Sequence, residues 1–221
     1  MHIVDEKNRL ERIARNDYDF DLSSYISRGW DLFVKSPGLF IAYTLVVGAI
    51  TAFIPLAGTI IGAVLTAGYY IAARQLDNNR NLKFEDFFES FQLFLPLFLA
   101  GLITGLLIAA GFILLIIPGI WLAVATAFVY PIVVFSKLEF WDSIVASIKI
   151  VNRKWFHFFL FFIVLVFINF LGALLLGVGL LVTVPLSYLS IYFCFKDVVG
   201  FTGAENESGL NPEDHLVDDL G

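Results

Sequence analysis

The sequence is poor in charge. Asp, Glu, Lys and Arg make up 15% of its 221 residues, where soluble domains carry about 25%. The apolar fraction is 59%, above the roughly 45–50% of such domains. That balance excludes an ordinary soluble globular protein. Cysteine is nearly absent: Cys194 stands alone, so an intramolecular disulfide and a cysteine-built zinc site are excluded. The net charge of −6 leaves no basic surplus for nucleic acid, whose phosphates require one. The first 20 residues hold no apolar core of signal-peptide length, so insertion is expected through the chain's own helices.

What the chain has instead is three long blocks without a single Asp, Glu, Lys or Arg: residues 36–73, 90–136 and 155–195. A membrane-crossing helix needs about 20 apolar residues, so each block is long enough for two crossings and a turn. Each also contains helix breakers near its middle: Ile54-Pro55-Leu56-Ala57-Gly58, Ile116-Ile117-Pro118-Gly119 and Gly177-Val178-Gly179. Proline brings no amide to a helix interior, and glycine tolerates turn conformations. The spacing predicts helices over 38–54, 56–73, 94–117, 119–135, 155–176 and 180–195. The expected fold is all-α, a polytopic membrane protein of six transmembrane helices arranged as three hairpins.

An amphipathic helix is expected before each hairpin. In residues 22–35, Leu22, Tyr25, Ile26, Gly29 or Trp30, and Phe33 follow the helical repeat, with Asp21 placed as N-cap. Phe84, Phe87, Phe88 and Phe91 recur at helical spacing ahead of the second hairpin. Trp141, Ile144, Val145, Ile148 and Trp155 mark a face ahead of the third. Such helices suit the headgroup plane, although a packed surface helix has the same pattern. Trp30, Phe91 and Trp141 are expected to bury their rings at the membrane interface or under the neighbouring hairpin, Trp141 most deeply. Pro55 to Arg74, Pro118 to Lys137 and Gly177 to Lys196 are each 19 residues apart. A triplicated hairpin explains that spacing, and so does the common bilayer thickness each return helix must cross.

The resulting organisation is an N-terminal arm (1–21), a six-helix membrane domain (22–200) and an acidic tail (201–221). Glu6 and Leu10, and Glu11 and Arg15, sit at i,i+4 spacing, so the arm reads as a short helix or a disordered terminus. From Glu205 onward the tail carries six acids and no Lys or Arg, a composition that favours disorder. All 14 Lys and Arg lie in the first 35 residues, the two long loops or at Lys196. The positive-inside rule then places both termini and both long loops in the cytoplasm.

Candidates for chemistry are few. An ionisable residue inside the membrane is a functional-site hypothesis by default, yet the apolar blocks offer none of the four charged types. His157 sits beside Trp155 and Lys154, where interfacial anchoring outweighs a ligand role. His2 and His215 lie in the termini. Asn169 is the carboxamide deep in a span, placed to bond Thr104, Thr126, Thr183 or Ser187 as polar glue between helices. Ser187 and Ser190 lack an acid or base partner. No catalytic, cofactor-binding or metal-ligating set emerges, and no cofactor is expected. Gly58 with Gly62 and Gly101 with Gly105 form G-x-x-x-G pairs, which serve close packing within the chain or against a second copy. Pro131 and Pro185 are expected to kink their helices. Membrane lipids, a protein on the cytoplasmic face and a second copy of the chain are the candidate partners.

The run Leu114-Leu115-Ile116-Ile117-Pro118-Gly119-Ile120-Trp121, the following Tyr130-Pro131, and Phe140-Trp141-Asp142-Ser143-Ile144-Val145-Ala146-Ser147 resemble a broad bacterial family of six-helix membrane proteins. That family looks related to the membrane domain fused to some glycerophosphodiester phosphodiesterases. Arg28-Gly29-Trp30, Ser36-Pro37, Gly172 and Pro185 fit the same pattern, and the likeness covers roughly residues 22–200. The phosphodiesterase's catalytic barrel has no counterpart here, so no catalytic residue carries over. The resemblance implies a multi-pass protein of the bacterial inner membrane. The expected role is a non-enzymatic structural or interaction module. The alternative is a transporter or channel-like protein for a small uncharged or lipid-like solute.

Overall fold

The structure, a computed structural model, describes residues 2–53, 55–175 and 177–201. The acidic tail beyond Phe201 and the turn residues Ile54 and Leu176 lie outside the described residues. The described chain is helical, with no strand among its elements. In order they are α1 (His2–Arg15), α2 (Leu22–Phe33), α3 (Pro37–Phe53), α4 (Pro55–Asp77), a 3₁₀ helix (Phe84–Leu93), α5 (Phe94–Leu114), α6 (Ile116–Ala125), α7 (Val129–Ser136), α8 (Phe140–Asn152), α9 (Trp155–Leu174) and α10 (Leu180–Val198). Among the described residues four stretches are long and apolar enough to cross a membrane: Phe84–Leu114, Ile116–Ser136, Trp155–Leu174 and Leu180–Val198. The pair α2 and α3, bent by 97°, adds a fifth if it is counted as one span.

The central break falls earlier than the sequence suggests. Leu115, not Pro118, leaves the helix, with extended backbone at φ −162° and ψ 150°. Pro118 becomes the third residue of α6, where a backbone amide has no intrahelical acceptor to lose. The glycine beside it serves contact between helices. A Cβ on Gly111 would stand 2.9 Å from the Gly119 Cα, so α5 and α6 meet backbone to backbone just below the turn. The return helix is also divided. α6 stops at Ala125, three residues turn, and α7 starts at Val129. Pro131 therefore sits in the first turn of a new helix rather than kinking a continuous one, and Pro185 remains inside α10.

The core lies around α7. Val129, Pro131, Ile132, Val133, Val134, Phe135 and Ser136 are all buried, enclosed by α4, α5 and α8. Phe128, in the turn before α7, sets its ring edge-on to Phe158 at 5.2 Å and Phe195 at 5.3 Å. Offset and edge-on aromatic pairs of this kind contribute about 0.5–1.5 kcal/mol beyond their burial. α2 packs along α10 through Tyr25, Gly29, Leu32 and Phe33. Its backbone comes so close that a Cβ on Gly29 would lie 2.8 Å from Ser190 Oγ. The expected N-cap is present: the Asp21 carboxylate accepts from the Ser24 amide at 3.1 Å.

Two of the amphipathic segments turn differently from their apolar pattern. The stretch Phe84–Leu93 winds as a 3₁₀ helix, whose three-residue period aligns Phe84, Phe87 and Ser90. Phe87 and Ser90 are buried, and Phe91 is left 39% exposed. The cause is tertiary: the Phe87 ring stacks on Tyr43 at 4.4 Å and meets Phe40 at 5.4 Å. In α8 the buried residues are Ser143, Ile144, Ser147, Ile150 and Val151. Trp141 is 54% exposed, and Trp30 on α2 is 46% exposed. Of the two placements expected for Trp30, Phe91 and Trp141, burial under the neighbouring hairpin is not the one adopted: all three rings face out of the bundle. In α8 it is Ser143 and Ser147 with Ile144, Ile150 and Val151, not the Trp141 ring, that face the bundle.

Candidate functional site

Within the apolar zone the polar groups act as connectors. Asn169 Nδ2 on α9 donates to Ser187 Oγ on α10 at 2.7 Å and to the Leu165 carbonyl at 2.8 Å. The Ser187 hydroxyl in turn donates to the Thr183 carbonyl at 2.8 Å. Of the partners the sequence offered to Asn169, the structure selects Ser187. Thr126 instead bonds the Leu122 carbonyl within its own helix. The Asn169 Oδ1, Thr183 Oγ1 and Thr104 Oγ1 atoms are buried without a hydrogen-bond partner. His157 leans on the Phe20 ring at 5.7 Å, and Cys194 is a buried free thiol. Among the described residues no three His, Cys, Asp or Glu side chains converge as metal ligands. Each G-x-x-x-G pair is used at one glycine. A Cβ on Gly101 would meet Ala63 Cβ of α4 at 2.8 Å, and one on Gly58 would meet Thr51 at 3.4 Å, whereas Gly62 and Gly105 face open space.

One apolar hollow is a lateral cleft of about 530 Å³, open between α6 and α9 and lined by Phe112, Ile120, Phe159, Phe162, Phe167 and Phe170 among other apolar residues. A second hollow adjoins it through Ile120 and Phe159 and runs past Pro118 to Trp121 and Trp155. Trp155 Nε1 donates to the Trp121 carbonyl at 3.4 Å, which ties the start of α9 to α6 at that end.

Charged groups meet where α4 and α10 finish. Asp77 Oδ2 accepts from Lys196 Nζ at 2.6 Å and from the Tyr192 hydroxyl at 2.8 Å. One turn earlier on α4, the Arg74 guanidinium lies 3.6 Å over the Phe201 ring and 5.6 Å from that of Phe135. Beyond it opens a polar cavity of about 190 Å³, lined by Arg74, Gln75, Asn78, Arg80, Glu89, Ile71 and Phe135. On the other side Arg28 pairs with Asp197 at 2.6 Å and sits 4.3 Å over Phe193. These residues read as loop charges in the sequence. Their one signal is the shared 19-residue offset, which makes Arg74 and Lys196 equivalent closers of their blocks. Lys137, the third, is instead an exposed left-handed cap at φ 50°.

The N-terminal arm builds a third polar layer. It is a helix, α1, laid against α8. Lys7 pairs with Asp142 at 2.8 Å, Glu11 with Lys149 at 3.0 Å, and Asp17 with Lys154 at 3.2 Å. Leu10 is buried between them, Tyr18 donates to the Ile150 carbonyl at 3.0 Å, and Arg9 donates to the Val199 carbonyl at 2.8 Å. The hydrogen bond from Lys149 holds the Glu11 carboxyl below its ordinary range, and that from Lys154 does the same for Asp17. The hydrogen bond to Asp142 raises Lys7. Burial raises the Tyr18 phenol. Comparison with known protein families, with curated proteins and with solved structures finds no match to this chain.

Proposed function

We propose that the chain is a non-enzymatic structural or interaction module of the cytoplasmic membrane. In this reading it crosses the bilayer six times, as three hairpins, with both termini on the cytoplasmic side. α3 to α7, α9 and α10 supply the crossings, α6 and α7 together making one. The layer formed by α1, α2 and α8 is the face presented to a protein partner. The observation that carries this reading is the filled core: all of α7 but Tyr130 is buried, and the Phe128 ring before it packs edge-on against Phe158 and Phe195. The family resemblance of residues 22–200 points the same way. The experiment is purification of the whole chain in mild detergent with mass spectrometry of co-purifying proteins and lipids. A reproducible stoichiometric protein partner supports the module.

The apolar cleft between α6 and α9 favours a second reading, transport or shielding of a lipid-like solute. Its volume and wholly apolar lining suit an acyl chain. A stoichiometric lipid with no protein partner in the same purification would turn the assignment to this reading.

A further inference from the structure

One row of α9 runs the length of the apolar cleft. Trp155, Phe159, Phe162, Val166 and Phe170 fall three or four residues apart, so they share one face of the helix. They line two adjoining hollows, of about 530 Å³ and about 570 Å³, which have Ile120 and Phe159 in common. From Trp155 to Phe170 the row is about 22 Å long at 1.5 Å per residue. One leaflet of a bilayer holds about 15 Å of hydrocarbon, so the groove can take a whole acyl chain lengthwise. Its section is too small for a helix. Between Phe159 and Phe170 the hollow of about 530 Å³ follows about 16 Å of α9, roughly 33 Å² in section, where a helix 10 Å across fills about 80 Å².

The two ends of the groove differ. The hollow that reaches Phe112 and Phe170 is lined by apolar residues throughout. At the other end the Trp155 indole N–H donates to the Trp121 carbonyl at 3.4 Å, a long bond that leaves the donor able to share a second acceptor. Arg153 and Lys154 come immediately before Trp155. Arg153 is exposed, and Lys154 pairs with an Asp17 side chain that is itself 83% exposed. A phospholipid carries its ester carbonyls and its phosphate anion at one end, and Trp beside Lys and Arg suits those groups at an interface.

We propose that the groove seats one phospholipid molecule per chain. One acyl chain lies along α9 from Phe159 to Phe170, and the ester and phosphate lie at Trp155, beside Arg153 and Lys154. Apolar burial holds the chain, and the indole donor and the two cations give it a single orientation. The seat rests on the lipid reading of the cleft, to which it adds the number of molecules and their direction.

The test uses the full chain in mild detergent, washed free of unbound lipid. Native mass spectrometry should find one phospholipid per chain. Ile163→Trp with Ala123→Phe, larger side chains at two positions that line the groove, should lose most of it. Leu171→Trp, on α9 outside that lining, should keep it. Direction is read by fluorescence with Trp30→Phe and Trp141→Phe, which leave Trp121 and Trp155 of the four tryptophans. Bound phospholipid brominated next to the glycerol should quench them more than phospholipid brominated near the chain end. The emission added by Phe167→Trp should follow the opposite order. A protein that retains no lipid, or that loses it equally in the Leu171→Trp variant, would overturn the seat and the lipid reading together. A retained lipid whose chain end quenches Trp121 and Trp155 more strongly would overturn the seat alone and leave the lipid reading standing.

Discussion

The hydroxyl of Ser147 stands 3.1 Å from the amide nitrogen of Phe128, whose proton it accepts. The same hydroxyl donates to the Ala125 carbonyl at 2.9 Å. Ala125 and Phe128 flank the interruption between α6 and α7, where a helix leaves backbone groups without partners. In an apolar bundle each such group is costly. One serine on α8 satisfies two of them, so α8 is bound into the bundle by chemistry as well as by packing.

Ser147→Ala adds no bulk at this close approach and removes both bonds. It should lower stability in detergent by about 2–5 kcal/mol, because two buried backbone groups lose their partner. Ser143 is equally buried but bonds the Glu139 carbonyl of its own helix. Ser143→Ala should therefore cost less than about 1 kcal/mol. Thermal unfolding of the two variants beside the parent protein gives the comparison.

This staple shows where the sequence was legible and where it was not. The apolar blocks, the breakers and most helix positions followed from charge, proline and glycine. The orientation of α8 did not. Apolarity ranks Trp141 above Ser147, but the close approach of α8 to the α6–α7 turn needs a small side chain that can bond backbone. The same limit applies to Phe84–Leu93, whose apolar spacing fits a 3.6-residue repeat until Phe87 is pulled between Tyr43 and Phe40. Nor could the arm be placed, since Lys7 and Asp142 are 135 residues apart. Asn169 was legible because a lone carboxamide in an apolar span has to find a polar neighbour, and Ser187 was on the short set available.

A second consequence concerns which face of α8 bears the load. Ile144 is 1% exposed against 54% for Trp141. Ile144→Ala should cost about 2–5 kcal/mol, the usual range for emptying a core position. Trp141→Phe should cost under about 1 kcal/mol. Among carboxylate substitutions, Ile144→Asp should abolish folded protein while Trp141→Asp leaves a foldable chain in detergent. The opposite order would mean that α8 is rotated by about 60° about its axis, the angle between positions three apart on a 3.6-residue helix.

The α1–α8 contact should respond to pH at both ends of the scale. Glu11 and Asp17 titrate below their ordinary values of 4.5 and 3.8. Their contribution is complete above those values and is lost as pH falls through the depressed ones. Lys7 titrates above 10.5, so its contribution is complete below that value and is lost as pH rises through the raised one. Spin labels at Asn8 and Asn152 should hold one distance from about pH 5 to about pH 10. The distribution should broaden at more acid pH, and at high salt, which screens exposed pairs. A distance unchanged at pH 3 would show that Leu10 and the hydrogen bonds of Arg9 to Val199, Tyr18 to Ile150 and Arg153 to Arg15 hold the arm without the ion pairs.

The proposed topology underlies the membrane role, and accessibility of single cysteines tests it most directly. In a Cys194→Ser background, cysteines replace Asn81, Asn152 and Val178 one at a time; Asn79 is avoided because its φ of 55° disfavours other residues. With a membrane-impermeant thiol reagent on intact spheroplasts, Val178→Cys, in the exposed turn between α9 and α10, should be labelled at once. Asn81→Cys and Asn152→Cys should be labelled only after lysis. Labelling of Asn81→Cys or Asn152→Cys before lysis would contradict three hairpins with both termini inside.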